Sequence, residues 1–175
     1  YNPVKKMSNI YIKTYGCSSN QAESEIMAGL LQKAGYDVVE NIDNSDLIIV
    51  NTCWVKQVSE QRLMFYLKDI QNKYPDKKLI VSGCAPEAAY KEIVDTAPDA
   101  SLVSTHQITK ITQAVQKTFG GKRIEFLGES KEVKLCLPRI RKNPIIGIVE
   151  ISEGCNGNCT YCATRLAKGK IFSFP

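Results

Sequence analysis

Six of the seven cysteines in this 175-residue chain fall into two sets of three. The tighter set is Cys155-Asn156-Gly157-Asn158-Cys159-Thr160-Tyr161-Cys162, a C-x3-C-x2-C run that follows an apolar stretch. Three soft thiolates within eight residues must wrap a compact soft-metal centre. Zinc normally takes four N/S ligands, usually from paired C-x2-C knuckles. Here no fourth cysteine is near, and the single histidine, His106, lies about 50 residues away. The three-thiolate loop therefore suits a four-iron cluster with one iron left open for an exogenous ligand. The wider set is Cys17, Cys53 and Cys84, each directly after an apolar or β-branched run: Thr14-Tyr15-Gly16-Cys17, Val50-Asn51-Thr52-Cys53 and Val81-Ser82-Gly83-Cys84.

Those runs alternate with helical patterns. Strands are expected at 10–15, 36–39, 47–50, 78–82 and 101–103, and helices at 21–34, 55–73, 86–95 and 107–118, the last closed by Gly120-Gly121. Strands that read as continuous apolar runs are buried on both faces, the mark of a parallel sheet. The expected fold class is α/β, a doubly wound, mostly parallel sheet of the Rossmann or flavodoxin kind with helices on both sides. In such a sheet the carboxyl ends of the strands share one edge, where ligands bind. Three cysteines some 30 positions apart can converge there, with Gly16 and Gly83 permitting close backbone approach. Thiolates at helix starts are also favoured by the helix dipole. The competing expectation is three buried structural cysteines.

Composition fits this picture. With 43% hydrophobic and 23% charged residues the chain can bury a core. No apolar run approaches the roughly 20 residues needed to cross a bilayer, and Tyr1-Asn2-Pro3-Val4-Lys5-Lys6 lacks the apolar core of a secretory signal. A soluble, cytoplasmic protein with no membrane partner is expected. An odd cysteine count in that setting argues against a disulfide framework. Net charge is +5, unevenly spread: residues 1–116 carry 12 Lys and Arg against 13 Asp and Glu, and residues 117–142 carry 8 against 3. The basic stretch suits a polyanion such as nucleic acid or, equally, a solvated linker. Four regions follow: 1–7 as an added or disordered start, with Met7 as the natural initiator; an α/β domain over 8–120; a basic, strand-bearing linker over 121–144; and 145–175 as the truncated start of a second domain, opening with strand Ile145–Ile151.

The Cys155–Cys162 loop resembles the signature of radical S-adenosylmethionine enzymes. Together with Tyr15-Gly16-Cys17, Asn20, Glu23-Ser24, Val50-Asn51-Thr52-Cys53, Val55, Glu60 and Gly83-Cys84, the chain resembles the methylthiotransferases along essentially its whole length. Gly154-Cys155-Asn156-Gly157-Asn158-Cys159-Thr160-Tyr161-Cys162 with Thr164 and the 168–175 tail is most similar to the archaeal and eukaryotic branch. That branch modifies N6-threonylcarbamoyladenosine at position 37 of transfer RNA. Its members typically show Arg-Gly and Tyr-Pro where this sequence has Lys168-Gly169 and Phe174-Pro175. The branches acting on isopentenyladenosine in transfer RNA and on a ribosomal protein stay open.

The resemblance implies an enzyme, a radical S-adenosylmethionine methylthiotransferase, of which this chain is an amino-terminal fragment inactive by itself and holding no complete catalytic set. It implies a four-iron, four-sulfur cluster on Cys155, Cys159 and Cys162 whose open iron chelates S-adenosylmethionine, with Tyr161 beside that cofactor or, alternatively, in the core. A 5′-deoxyadenosyl radical would then take hydrogen from C2 of the adenine, chemistry that the cofactor carries. It implies a second such cluster on Cys17, Cys53 and Cys84 that carries the sulfur, with Asn20 and Asn51 placed to hydrogen-bond the sulfurs. Transfer RNA, bound mainly by parts beyond this chain with help from the basic linker, and a low-potential electron donor are the implied partners. Cys136 is expected to be structural, His106 a surface or capping residue, and Trp54 a shield for the cluster or a core anchor. The alternatives of other classes are an electron-transfer module, whose clusters would normally carry four cysteines each, and a zinc-stabilised nucleic-acid-binding module.

Overall fold

The structure, a computed structural model, describes residues 8–55 and 57–174. The expected start at Met7 and the final Pro175 lie outside the described residues. Six strands, β1 (Asn9–Tyr15), β2 (Asp37–Val39), β3 (Leu47–Thr52), β4 (Lys78–Gly83), β5 (Ser101–Ser104) and β6 (Glu125–Phe126), form one parallel sheet in the order β2-β1-β3-β4-β5-β6. The flanking helices are α1 (Ser18–Lys33), α2 (Gln57–Lys73), α3 (Ala85–Ala88), α4 (Tyr90–Thr96) and α5 (Ile111–Phe119). The expected doubly wound α/β fold is the one observed. Its order places a topological switch between β1 and β3, the position at which open α/β sheets bind ligands.

The period of two along a strand explains the two-sided core. In β3, Ile48 and Val50 face one layer with Leu63, Leu67 and Ile70 of α2 and Ile93 of α4. Leu47 and Ile49 face the other, with Ile26, Met27 and Leu31 of α1 and Ala114 and Val115 of α5. All six residues of β3 are buried, as befits a strand covered on both faces.

Several elements differ from expectation, each for a local reason. The helix expected over 86–95 is two helices, because Ala89 leaves the helical region at φ −135° and ψ 35°. The helix expected over 107–118 starts as a 3-10 turn, Thr105–Lys110, before α5. Helix α1 begins three residues earlier than its apolar pattern, because Cys17 caps it: its N–H donates to Asn20 Oδ1 at 3.3 Å. Cysteine is not among the usual N-cap residues.

Residues 121–144 are less of a solvated linker than their charge suggests. Their one strand, β6, extends the sheet at β5, and the segment after it returns across α1. Ile140 N–H donates to the Glu25 carbonyl at 3.0 Å, and Lys142 N–H to the Glu25 carboxylate at 3.2 Å. Gly29 makes that crossing close: a Cβ there would sit 2.5 Å from the Arg139 nitrogen.

The strand expected over Ile145–Ile151 is absent. Among the described residues no other strand lies alongside it, so its backbone has no ladder to join. Ile145, Val149 and Ile151 are exposed. Pairing occurs just beyond, where β7 (Ser152–Glu153) meets β8 (Phe172–Ser173) in antiparallel register. Between them lie the Cys155–Cys162 loop and α6 (Thr164–Lys168).

Candidate functional site

Cys53 and Cys84 directly follow the last residues of β3 and β4, and Cys17 lies two residues after the end of the adjacent strand β1. The ladder carries one step into the loops: Cys53 N–H donates to the Tyr15 carbonyl at 2.8 Å, and Cys84 N–H to the Thr52 carbonyl at 3.0 Å. The three residues therefore share the carboxyl edge of the sheet, and Cys17 and Cys53 flank the switch point. Cys53 and Cys84 are buried, whereas Cys17 is exposed. The neighbouring Cys53 side chain and partial burial raise the Cys17 pKa above the ordinary thiol value.

A pair of buried asparagines knits the three loops together. Asn20 Oδ1 accepts from the Cys17 N–H and, at 3.4 Å, from its thiol. Asn51 Nδ2 donates to the Asn20 carbonyl and to Ser24 Oγ, both at 2.8 Å. Their amides meet at 3.4 Å. Asn20 thus reaches a cysteine sulfur as expected, while Asn51 braces Asn20. Gly83 closes the arrangement at φ +91°, where a Cβ would lie 2.5 Å from the Thr52 carbonyl and 3.0 Å from Asn20 Nδ2. Only glycine holds that conformation in that space.

The second set lines its own concavity. Cys155, Cys159 and Cys162, with Gly157, Asn158, Arg165 and Leu166, bound a cavity of about 370 Å³. Gly157 N–H donates to Cys155 Sγ at 3.3 Å and Thr164 N–H to Cys162 Sγ at 3.5 Å. Hydrogen bonds from the Thr164 side chain and backbone hold the Cys162 thiol below its usual pKa, favouring the thiolate that binds metals. Tyr161 is 90% exposed on this loop, so it is not a core residue. Among the described residues no three Cys, His, Asp or Glu side chains close on one point as ligands of a single ion would. In a polynuclear cluster each thiolate takes its own iron, so sulfurs spread around a cavity with backbone donors suit that group better than a lone ion.

A buried charged cluster connects the two sets. Glu23 of α1 is fully buried; its Oε1 accepts from the Thr105 hydroxyl and lies 3.5 Å from Lys134 Nζ and 3.6 Å from Lys168 Nζ. Lys134 also meets Glu153 of β7 at 2.6 Å, and Glu153 lies 3.2 Å from His106 Nδ1. Lys168 of α6 donates to Ser19 Oγ at 2.5 Å, and Ser19 donates to Glu150. Burial pushes the Glu153 carboxyl up, but the His106 hydrogen bond and the Lys134 charge outweigh it and hold its pKa below the ordinary value. Burial and the Glu23 charge raise Glu150.

Burial corrects two expectations, those for His106 and Cys136. His106 is buried beside a carboxylate rather than at the surface. The basic stretch is partly committed to the fold: Lys134 is buried, Arg123 pairs with Glu125 and Arg139 donates to the Ile148 carbonyl, whereas Lys117, Lys122, Lys131, Arg141 and Lys142 stay exposed. Cys136 is exposed at φ +59°, outside the core expected of a structural cysteine. Trp54 packs against the α2 and α4 core layer, the anchor role, half-buried. Sequence patterns offered no signal for Lys134, Glu150, Glu153 or Lys168, which look like ordinary surface charges. Glu23 appeared only within the Glu23-Ser24 segment that carries the family resemblance, with no role attached.

The family model described as "Uncharacterized protein family UPF0004" matches residues 9–105. The chain is 45% identical over 166 residues to the Methanothermobacter thermautotrophicus protein named "Probable threonylcarbamoyladenosine tRNA methylthiotransferase", covering 95% of this chain and 39% of that protein. It is 36% identical over 179 residues to the Homo sapiens threonylcarbamoyladenosine tRNA methylthiotransferase, covering 98% of this chain and 30% of that protein. The Pyrococcus horikoshii relative, named as probable for the same activity, is 35% identical over 171 residues, 96% of this chain and 39% of that protein. The chain thus spans well under half the length of these relatives.

Proposed function

The chain belongs to the UPF0004 family, and from that premise we propose that it contributes the two cysteine centres of a transfer-RNA methylthiotransferase acting on N6-threonylcarbamoyladenosine. Catalysis, transfer-RNA binding and the low-potential electron donor belong to the complete protein. Cys17, Cys53 and Cys84 hold one four-iron cluster, and Cys155, Cys159 and Cys162 hold the other, where S-adenosylmethionine binds. When bound, these groups supply reductive cleavage of S-adenosylmethionine and a carried sulfur for C2 of the adenine.

The observation that carries this reading is the placement of both three-cysteine sets at one sheet edge. Three cysteines follow adjacent parallel strands, and the second loop is held against the same edge by buried ion pairs. Each set has three thiols, which leaves one iron of a four-iron cluster for an external ligand. The chain's own residues do the remaining work. Asn20 and Asn51 fix the first loop and thereby the direction of the Cys17 sulfur. The Gly157 and Thr164 N–H groups offer charge-compensating donors to thiolates in the second. Tyr161 stands in solvent one residue before Cys162, free to pack against a cofactor bound there.

Anaerobic reconstitution with iron and sulfide tests the assignment. The wild-type chain should take up about eight iron atoms, and replacing either three-cysteine set with alanine should leave about four. Cys136→Ala should leave the count unchanged. Wild-type iron in the Cys17, Cys53 and Cys84 triple variant would remove the first site. For the complete protein, formation of methylthio nucleoside from threonylcarbamoylated transfer RNA, S-adenosylmethionine and dithionite tests the substrate.

A further inference from the structure

We propose that Lys168 is a positioning residue that latches the Cys155–Cys162 loop to the sheet edge bearing Cys17, Cys53 and Cys84. The inference deepens the proposed function, because it concerns how the two cysteine sets keep their mutual placement.

The segment from β7 to β8 is closed on itself. Cys155 N–H donates to the Gly169 carbonyl at 3.1 Å, Phe174 N–H to the Ile151 carbonyl at 2.9 Å, and among the described residues β7 pairs only with β8. Two two-residue strands and a five-residue helix are too little structure to stand alone. Their orientation must come from outside contacts. Leu166 is 65% exposed and Ile171 52%, so apolar anchoring is confined to the small buried Ala167, while Glu153 of β7 is tied to Lys134 at the other end of the segment.

Polar anchors remain. Lys168 has a side chain only 12% exposed, and its ammonium reaches Ser19 Oγ at 2.5 Å, Glu23 at 3.6 Å and Glu150 at 3.9 Å. Burial works against its charge, but the carboxylates of Glu23, Glu150 and Glu153 more than offset it, so it stays an ammonium. Glu23 in turn lies 3.5 Å from Asn20, whose side chain accepts from Cys17. At the other end of α6, Thr164 hydrogen-bonds the Cys162 sulfur. A continuous side-chain path thus runs from Cys17 through Asn20, Glu23 and Lys168 to the helix that carries Thr164 and Cys162. Buried ion pairs seldom stabilise more than apolar packing of equal volume, but they accept only one geometry. That directional demand is what a latch between two loops requires.

Amide hydrogen exchange on the metal-free 175-residue chain reads the latch directly. Lys168→Met should speed exchange at Cys155, Gly169 and Phe174 about tenfold or more, with amides of β1, β3 and β4 unchanged. Lys168→Arg, which keeps the charge and its donors, should restore protection. Ser19→Ala, a mild change on α1, should give a smaller increase confined to the same amides. Wild-type exchange rates in Lys168→Met and Ser19→Ala would overturn the latch. A wild-type chain that takes up no iron would overturn the cluster assignment instead, and exchange alone would then decide the latch.

Discussion

Lys134 and Glu153 form a buried ion pair, Nζ to Oε2 at 2.6 Å, with both side chains only 2% exposed. One comes from the basic stretch after the sheet and the other from β7, so the pair ties the second cysteine loop to the α/β core. Lys134 also faces Glu23 and Thr105, and Glu153 also faces His106, so neither charge rests on a single partner.

Removing Lys134 leaves Glu153 with His106 alone and Glu23 with Lys168 as its one remaining ammonium. Lys134→Met should destabilise the chain by about 3–5 kcal/mol, the usual cost of leaving a buried charge unpaired. Pairing it with Glu153→Leu should recover much of that loss, since two apolar groups replace two desolvated ions. Urea denaturation of the single and double variants checks this; a single variant within about 1 kcal/mol of wild type contradicts the pairing.

Gly83 and Gly35 separate backbone strain from crowding. Both have positive φ, +91° and +86°, but a Cβ at Gly35 meets nothing within 4 Å, whereas at Gly83 it strikes Asn51 and Thr52. Gly35→Ala should cost about 1–2 kcal/mol, the left-handed penalty alone. Gly83→Ala should cost about 3 kcal/mol or more, adding overpacking to strain, and should lower iron uptake at the first cysteine set. Equal losses in thermal denaturation would show that the asparagine pair does not press on Gly83.

The Glu150 carboxyl gives a pH signature. Burial and Glu23 raise its pKa above the ordinary carboxyl value, against the opposing Ser19 hydrogen bond and the Lys134 and Lys168 charges. The native state therefore binds this proton more tightly than the unfolded chain does. Its contribution to stability is fullest below the unfolded value and declines as pH rises through the raised native value. In Glu150→Gln that decline should vanish. The melting temperature of the variant relative to wild type should climb as pH rises from 4 and then level off. A difference that is flat or falls over that range contradicts the raised value.

Tyr161 provides a control for the second loop. Since it is 90% exposed, Tyr161→Ala should change stability by less than about 0.5 kcal/mol. Under the proposed function the same change should weaken S-adenosylmethionine binding to reconstituted protein, measured by equilibrium dialysis. A large stability loss with unchanged binding would make Tyr161 a packing residue.

Much of this protein was legible in its residue order. The runs Ile10–Tyr15, Leu47–Val50, Lys78–Ser82 and Ser101–Val103 announced buried parallel strands, and all four are found. Cysteines within three residues after three of them implied a shared edge, since parallel strands must end on the same side. Strand Ile145–Ile151 failed because an apolar run states only that a segment wants burial; a strand also needs a neighbour, which the sequence pattern does not supply.

The residue order by itself determined the α/β layering and the two three-cysteine sets, because side-chain period and short-range spacing are local properties. Tertiary structure alone decided that Lys134, Glu153, Lys168, Glu150 and His106 leave solvent and gather around Glu23. Charged side chains have the same sequence signature whether they are hydrated or buried and paired. Only when α1, the returning segment after β6 and the β7–β8 loop pack together does a partner of opposite charge lie within reach, and that proximity turns a costly buried charge into a specific contact.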